Sequence, residues 1–316
     1  MAVEKQAGPA AVVLAATAAR RYYFDGASKS DIAGELGLSR FKVARLLDQA
    51  LASGLVRIEL HSPGTIDLDL SIALKTAYGL RHCVVIDSPE DDEALLRANL
   101  GRAAAELLTE IVEPHDVLGL AWARSLMAMR RALVELAPCA VVQLTGALSR
   151  PDVDESSIEL VRDVARIAGG LAYYFYAPMI VADAMTAAAL RAQPEIARAM
   201  RRFPDVTKAV VGVGAWRAGQ STVADAGSAT ERREIRDLGV RVEVCGVQLD
   251  AAGTVLTTPL TDRLIGIDAT ALRAIPDVIA IAYGAPKAEA VRATVRSGIV
   301  SSLVTHAGSS SSCRVG

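Results

Sequence analysis

The chain has 316 residues, 52% of them hydrophobic and 22% charged, with a formal net charge of -2. These figures exclude extended disorder, a coiled coil and a broad basic coat for nucleic acid, so any basic surface must be local. The length favours two unequal domains over a single core.

Cys83, Cys139, Cys245 and Cys313 are scattered without a C-x-x-C pair, and His61, His82, His115 and His306 show no H-x-x-x-H spacing. Neither a disulfide framework nor a metal site is expected, no cofactor is implied, and the histidines are expected on the surface or in loops. A reducing cytoplasm is the expected compartment. Lys5 precedes an apolar stretch over residues 10–19, and Ala16-Thr17-Ala18 has the look of a signal cleavage site. The stretch is alanine-rich and runs straight into Arg20-Arg21-Tyr22-Tyr23-Phe24, so it reads better as a first helix with an aromatic end. No run reaches the ~18 apolar residues of a membrane span.

Ser28-Lys29-Ser30-Asp31 offers capping side chains for a short helix carrying Ile32, Ala33 and Leu36, which Gly37-Leu38 stops. Ser39 can cap a second helix, with Val43, Leu46, Leu47 and Ala50 on one apolar stripe and Ser53-Gly54 as its exit. Two helices across so short a turn make a helix-turn-helix. The polar side of the second carries Ser39, Arg40, Lys42 and Arg45, with no acid before Asp48. Such a helix fits the major groove, where arginine pairs with guanine and the helix N-terminus attracts phosphate. The residues expected at double-stranded DNA are Ser28, Ser39, Arg40, Lys42, Val43 and Arg45. Residues 1–60 carry a net +2 and the remainder a net -4, so the clustering on one helix matters more than the sum. Residues 55–60 alternate as a strand should and are expected to form a wing, and His61-Ser62-Pro63-Gly64-Thr65 then breaks both periodicities. The expected domains are residues 1–61 and 66–316.

Beyond the break, runs at 82–87, 116–122, 140–145, 172–176, 208–213, 241–245 and 278–283 read as strands, most of them apolar on both faces. Helical stretches lie between several of them, one with Leu96, Leu100, Ala104, Leu107 and Ile111 on a stripe and Glu93 four residues before Arg97. The pattern calls for an α/β domain with a mostly parallel open sheet covered by helices. Ligands of such sheets settle outside the carboxyl ends of the strands. Four of those loops carry suitable groups: Trp122-Ala123-Arg124-Ser125, Gln143-Leu144-Thr145-Gly146, the run bearing Glu243, and Gly284-Ala285-Pro286-Lys287. Read singly, Arg124 and Lys287 could be solvated, Gln143 could tie a strand end, and Glu243 could pair with Arg241 or Arg263. Read together they describe a pocket for a polyhydroxylated, anionic or neutral small molecule. Gly212-Val213-Gly214 is an incomplete dinucleotide fingerprint with Arg217 where the third glycine would stand, and the 309–312 serine run reads as a flexible tail.

The chain resembles, over nearly its whole length, the SorC family of sugar-responsive bacterial transcriptional regulators. The resemblance is carried by the stretch from Asp31-Ile32-Ala33 through Leu38-Ser39-Arg40 to Gly54-Leu55-Val56-Arg57-Ile58, by Val141-Val142-Gln143-Leu144-Thr145-Gly146, by Tyr173-Tyr174 before Ala177-Pro178, by Val211-Gly212-Val213-Gly214, and by Ile281-Ala282-Tyr283-Gly284-Ala285-Pro286-Lys287-Ala288. It implies a winged helix-turn-helix joined to a domain akin to sugar-phosphate isomerases, a sugar, polyol or sugar phosphate as effector, and dimers or tetramers on paired operator half-sites. The effector contacts it implies fall on Arg124, Ser125, Gln143, Gly146, Glu243 and Lys287, and Trp122, in the loop that bears Arg124, is expected to join them. Ala123 stands where the family has glycine and Glu243 where it has aspartate, departures that favour an unphosphorylated ligand. After Leu303-Val304-Thr305 the family's closing helix is expected to be missing. Two other readings stay open: an isomerase-like enzyme with Glu243 as general base and Lys287 steadying charge, and a DNA-binding protein whose large domain only oligomerises.

Overall fold

The computed structural model describes residues 8–58, 65–88, 92–148 and 156–310. The chain divides into two compact units, residues 1–61 and 62–316.

The first unit holds three helices, α1 (Pro9–Tyr23), α2 (Lys29–Leu36) and α3 (Arg40–Ala52). Its core is Ala15, Ala18 and Ala19 of α1, Ile32 and Ala33 of α2, and Val43, Leu46, Leu47 and Ala50 of α3. Ser28 and Asp31 form a reciprocal capping box at the start of α2, and Gly37 ends it in the left-handed conformation at φ 64°. Ser39 accepts the Lys42 N–H and starts α3, leaving residues 37–39 as the whole turn. Arg21 of α1 ties α2 through both carboxylate oxygens of Glu35 and reaches Asp25 as well. Two expectations change here. Val43 is fully buried among the helices, because it falls on the same stripe as Leu46 and Leu47, and so cannot touch DNA. Residues 55–58 form no strand, and the rest of the expected wing lies outside the described residues.

The second unit opens with α4 (Leu68–Tyr78) and alternates β1 (His82–Ile86), α5 (Glu93–Ile111), β2 (Val117–Leu120), α6 (Arg124–Ala132), β3 (Ala140–Gln143), α7 (Ser157–Ile167) and β4 (Ala172–Tyr173). There follow α8 (Ala184–Arg191), α9 (Pro194–Met200), β5 (Lys208–Ala215), α10 (Thr222–Ala226) and α11 (Ala229–Asp237). The chain continues through β6 (Val242–Val244), β7 (Val247–Leu249), β8 (Val255–Leu256), α12 (Ala269–Ala274), β9 (Asp277–Ile281), α13 (Ala288–Arg296), β10 (Ser302–His306) and α14 (Ala307–Ser310). Seven strands run parallel in the order β1-β10-β9-β5-β2-β3-β4, and β6, β7 and β8 continue from β5 as an antiparallel arm. Side-chain alternation divides the core between the two faces of the sheet. On β5, Ala209, Val211 and Val213 enter one layer and Val210 the other; on β9, Val278 and Ala280 oppose Ile279 and Ile281. At the opposite end from the site, Lys208 pairs with Asp116 at 2.6 Å, and Thr207 donates to the same carboxylate.

All seven expected strands are present, most with shorter bounds although β5 runs two residues longer, to Ala215, whereas β7, β8 and β10 were not anticipated. Gly212-Val213-Gly214 lies inside β5 rather than in a turn after it. His306 is fully buried in β10, against the expectation for the histidines, and Ser302 of that strand donates to the buried Asp277 at 2.7 Å. A single helical turn, α14, follows β10 and takes in Ser309 and Ser310, so the tail reading fails as far as residue 310; the remaining serines lie outside the described residues.

Leu46 is 4% exposed, so Leu46→Ala should cost about 2–5 kcal/mol of stability, while Arg45→Ala on the outer side of α3 should stay within about 0.5 kcal/mol. Amide hydrogen exchange along α3 in the full chain checks both.

Candidate functional site

β2, β5 and β9 are neighbours in the parallel sheet, so their carboxyl ends stand side by side. The chain leaves β2 into Trp122-Ala123 and α6, and leaves β9 into Tyr283, Gly284 and a short 3-10 helix over Ala285–Lys287. Between these ends lies a cavity of about 280 Å³, lined among others by Trp122, Arg124, Ser125, Gly212, Gly214, Ser221, Glu243, Tyr283 and Lys287. Glu93 at the start of α5 joins the rim.

Glu243 is 6% exposed on β6. Its Oε1 accepts from Ser221 Oγ at 2.9 Å, and its Oε2 accepts from the Gly246 N–H at 3.0 Å. Both partners are products of local structure. Ser221 caps α10, and the two-residue turn Cys245-Gly246 between β6 and β7 has φ of 55° and 85°, the positive values that such tight hairpins require. Gly214, paired with Glu243 across β5 and β6, leaves the carboxylate its room: a Cβ there would lie 2.2 Å from Oε1. Burial pushes the Glu243 carboxyl up, against the Gly246 and Ser221 hydrogen bonds and the charge of Lys287, which hold it down.

Lys287 donates to the Val213 carbonyl at 2.9 Å and stands 5.1 Å from the Tyr283 ring centroid. Burial pushes its amine down to about 8, with Glu243 opposing the fall and Arg124 adding to it. Arg97 completes the cluster, donating to the Tyr283 hydroxyl at 2.9 Å and pairing with Glu93 at 2.6 Å. The expected Glu93–Arg97 helix pair therefore forms, but at the rim of a cavity. Ala123 is the N-cap of α6 and gives it no side-chain cap, and Ala123, Arg124 and Ser125 line the same space. Cations and a helix N-terminus suit a phosphate or carboxylate; a buried carboxylate suits hydroxyls.

The structure thus brings together Trp122, Arg124, Ser125, Glu243 and Lys287. It leaves out Gln143 and Gly146. Gln143 is fully buried, with Nε2 donating to Thr145 O and Ser157 Oγ and Oε1 accepting from the Phe175 N–H, so it ties the end of β3 to its neighbours. Gly146 permits close backbone approach, since a Cβ would lie 2.6 Å from the Pro178 carbonyl. Glu243 bonds neither Arg241, which donates to the Arg236 and Val240 carbonyls, nor Arg263, which pairs with Glu231. Sequence reasoning passed over Tyr283, Ser221 and Gly214. Gly214 and Tyr283 stood in motifs read for other reasons, and Ser221, a capping residue at a helix start, carried a local signal.

In the first unit Arg40, Lys42 and Arg45 are exposed on α3, and Ser28 and Ser39 are exposed with their hydroxyls engaged in caps. Among the described residues no group of acidic, histidine and cysteine side chains could hold a metal, and no helix is long and apolar enough to cross a membrane.

A polar cavity at the carboxyl ends of a parallel sheet, in a chain that also carries a three-helix unit, defines a small-molecule-binding type of α/β domain. Residues 63–311 match the Sugar-bind family of sugar-binding domains. The transcriptional regulator YjhU of Escherichia coli K12 is 28% identical over 297 residues, covering 91% of this chain and 90% of YjhU. The deoxyribonucleoside regulator of Bacillus subtilis 168 is 28% identical over 281 residues, covering 88% and 90%. The sorbitol operon regulator SorC of Klebsiella pneumoniae shares the fold, with a TM-score of 0.73 over 96% of this chain and 98% of SorC at 22% identity. The chain belongs to the Sugar-bind family of sugar-binding domains, and its fold is that of the SorC structure.

Two predictions follow from the site. Folding lowers Lys287 from 10.5 to about 8, so between those values the unfolded chain holds more protons and stability rises with pH. Lys287→Met removes that slope, so the melting temperature of wild type minus that of the variant should increase from pH 8 to pH 10; a constant difference contradicts it. Gly214→Ala should displace the Glu243 side chain and abolish stabilisation by ligand while the chain still folds, as read by thermal melts with and without ligand.

Proposed function

We propose that a phosphorylated sugar occupies the cavity and sets the affinity of the three-helix unit for an operator in double-stranded DNA. One observation carries the reading: a single cavity joins Lys287, Arg124 and the uncapped start of α6 to the buried Glu243–Ser221 pair. The cations and helix N-terminus receive the phosphate, and the carboxylate accepts sugar hydroxyls. The phosphorylated form is preferred over the neutral one because Lys287, Arg124 and the start of α6 line one space; this reverses the expectation drawn from Ala123, whose methyl lies beside Gly212, where a Cβ would come within 2.5 Å of it. In the first unit, α2, the three-residue turn and α3 act as a helix-turn-helix, with Ser39, Arg40, Lys42 and Arg45 toward the major groove and Ser28 toward phosphate. The working assembly is a dimer or tetramer on a palindromic operator. The ligand acts by binding one quaternary arrangement better than another, and a coupling of about 1–3 kcal/mol is ordinary for such a switch.

A thermal-shift screen of pentoses, hexoses, polyols and their phosphates tests the cavity. A phosphate ester should raise the melting temperature in proportion to the logarithm of its concentration, and Lys287→Ala should lose that response while binding DNA normally in its absence. Stabilisation only by neutral sugars moves the effector to that class, and turnover that disappears in Glu243→Ala favours an enzyme. Arg40→Ala should weaken operator binding by about 1–3 kcal/mol and relax sequence preference; unchanged affinity and preference reject α3 as the reader.

A further inference from the structure

α3 presents a feature that a purely electrostatic reading leaves unused. Phe41 is 83% exposed, between the exposed Arg40 and Lys42 and one turn before the exposed Arg45. At 100° per residue it lies roughly 170° around the helix from the mean direction of the buried Val43, Leu46, Leu47 and Ala50, and Arg45 lies roughly 150° from it. The side chain at the centre of the outward face is therefore aromatic, and cations flank it. Leaving such a ring in water forgoes the gain that burial would bring, which calls for an occupant. The charges state its sign: the first two turns of α3 hold three cations and no acid, complementary to a polyanion rather than to a mixed protein surface.

Resting on the reading of α3 as the groove-facing helix, we infer that Phe41 is a specificity-determining residue that packs on the 5-methyl group of a thymine in each operator half-site. Arg40, Lys42 and Arg45 hold the neighbouring phosphates and base edges. In the major groove the thymine methyl is the one apolar group a base pair displays, and an aromatic ring near the start of a recognition helix is positioned to meet it. Arginine and lysine at the same face cannot supply that contact, so the ring adds a preference that charge alone lacks.

The test uses the full chain. Duplexes are first enriched from a random pool by wild-type protein, and each thymine of the enriched sequence is then replaced in turn, symmetrically in both half-sites, by deoxyuridine, which lacks only the methyl. Fluorescence anisotropy should show one position at which wild type weakens about four-fold per half-site, the factor equivalent to one buried methyl. Phe41→Ala should bind the parent duplex less tightly and treat thymine and deoxyuridine alike there, and Phe41→Leu should keep part of the difference. Melting temperatures of both variants should match wild type, since the ring contributes nothing to the core. Equal binding by wild type at every substituted thymine, or a Phe41→Ala variant that keeps the discrimination, overturns the inference while leaving DNA binding intact. So does a change in oligomeric state in Phe41→Ala with discrimination unaltered, which would assign the ring to a second copy of the chain. Failure of wild type to enrich any sequence is a different result, and it sinks the reading of α3 together with the role of Phe41.

Discussion

A carboxylate held out of water must be satisfied, and much of the architecture around the cavity follows from satisfying Glu243. Removing such a charge from solvent costs several kcal/mol unless hydrogen bonds and an opposite charge offset it. Here the offsets come from separate elements: a helix cap at Ser221, a hairpin turn at Cys245-Gly246 that requires positive φ, and the amine of Lys287 from the segment after the neighbouring strand β9. Gly214 gives way by having no side chain. Several elements thus converge on one carboxylate, each also with a local role of its own, such as the cap that Ser221 gives α10.

The sheet order supplies the geometry. Because β5 pairs in parallel with both β2 and β9, the chain exits three adjacent strands on one edge, delivering the start of α6, the Gly212–Gly214 backbone and the Tyr283–Lys287 segment to one place. The antiparallel arm then returns Glu243 beside β5. Lys287 is held below its ordinary proton affinity and Glu243 above its own, both by burial, and each partly rescues the other. Under the proposed function, a ligand with an anionic group and hydroxyls replaces lost water on both at once, which is what would let it bind one arrangement of the protein better than another.

The helices of the first unit and the parallel strands were legible in the sequence because their signals are local. Ser28, Asp31 and Gly37 mark the ends of α2, Ser39 marks α3, and apolar runs such as 208–213 declare buried strands. Val43 shows the limit: the stripe that marks it as apolar also decides that it faces the core, and assigning it to DNA as well counted one side chain on two faces. β10 was missed because Ser302, Thr305 and His306 are polar yet buried, their burial set by neighbours such as Asp277 that lie far along the chain. β7 and β8 span three residues and two, too few for any periodicity to register.

The site was half legible for a related reason. That the loops after the strands would carry the ligand groups follows from a general property of parallel sheets, and it led to Arg124, Ser125, Glu243 and Lys287. The same reasoning also pointed to Gln143 and Gly146, because residue type and strand end look alike whether a side chain faces a cavity or a neighbouring strand. Composition, caps and apolar spacing by themselves determined that there is a capped basic helix, a parallel α/β sheet and a set of polar groups at strand ends. Only tertiary structure decided which of those groups share one space, since the partners that satisfy each polar atom, Ser221 for Glu243 and Phe175 for Gln143, are brought near by the folding of distant segments and leave no trace in local sequence.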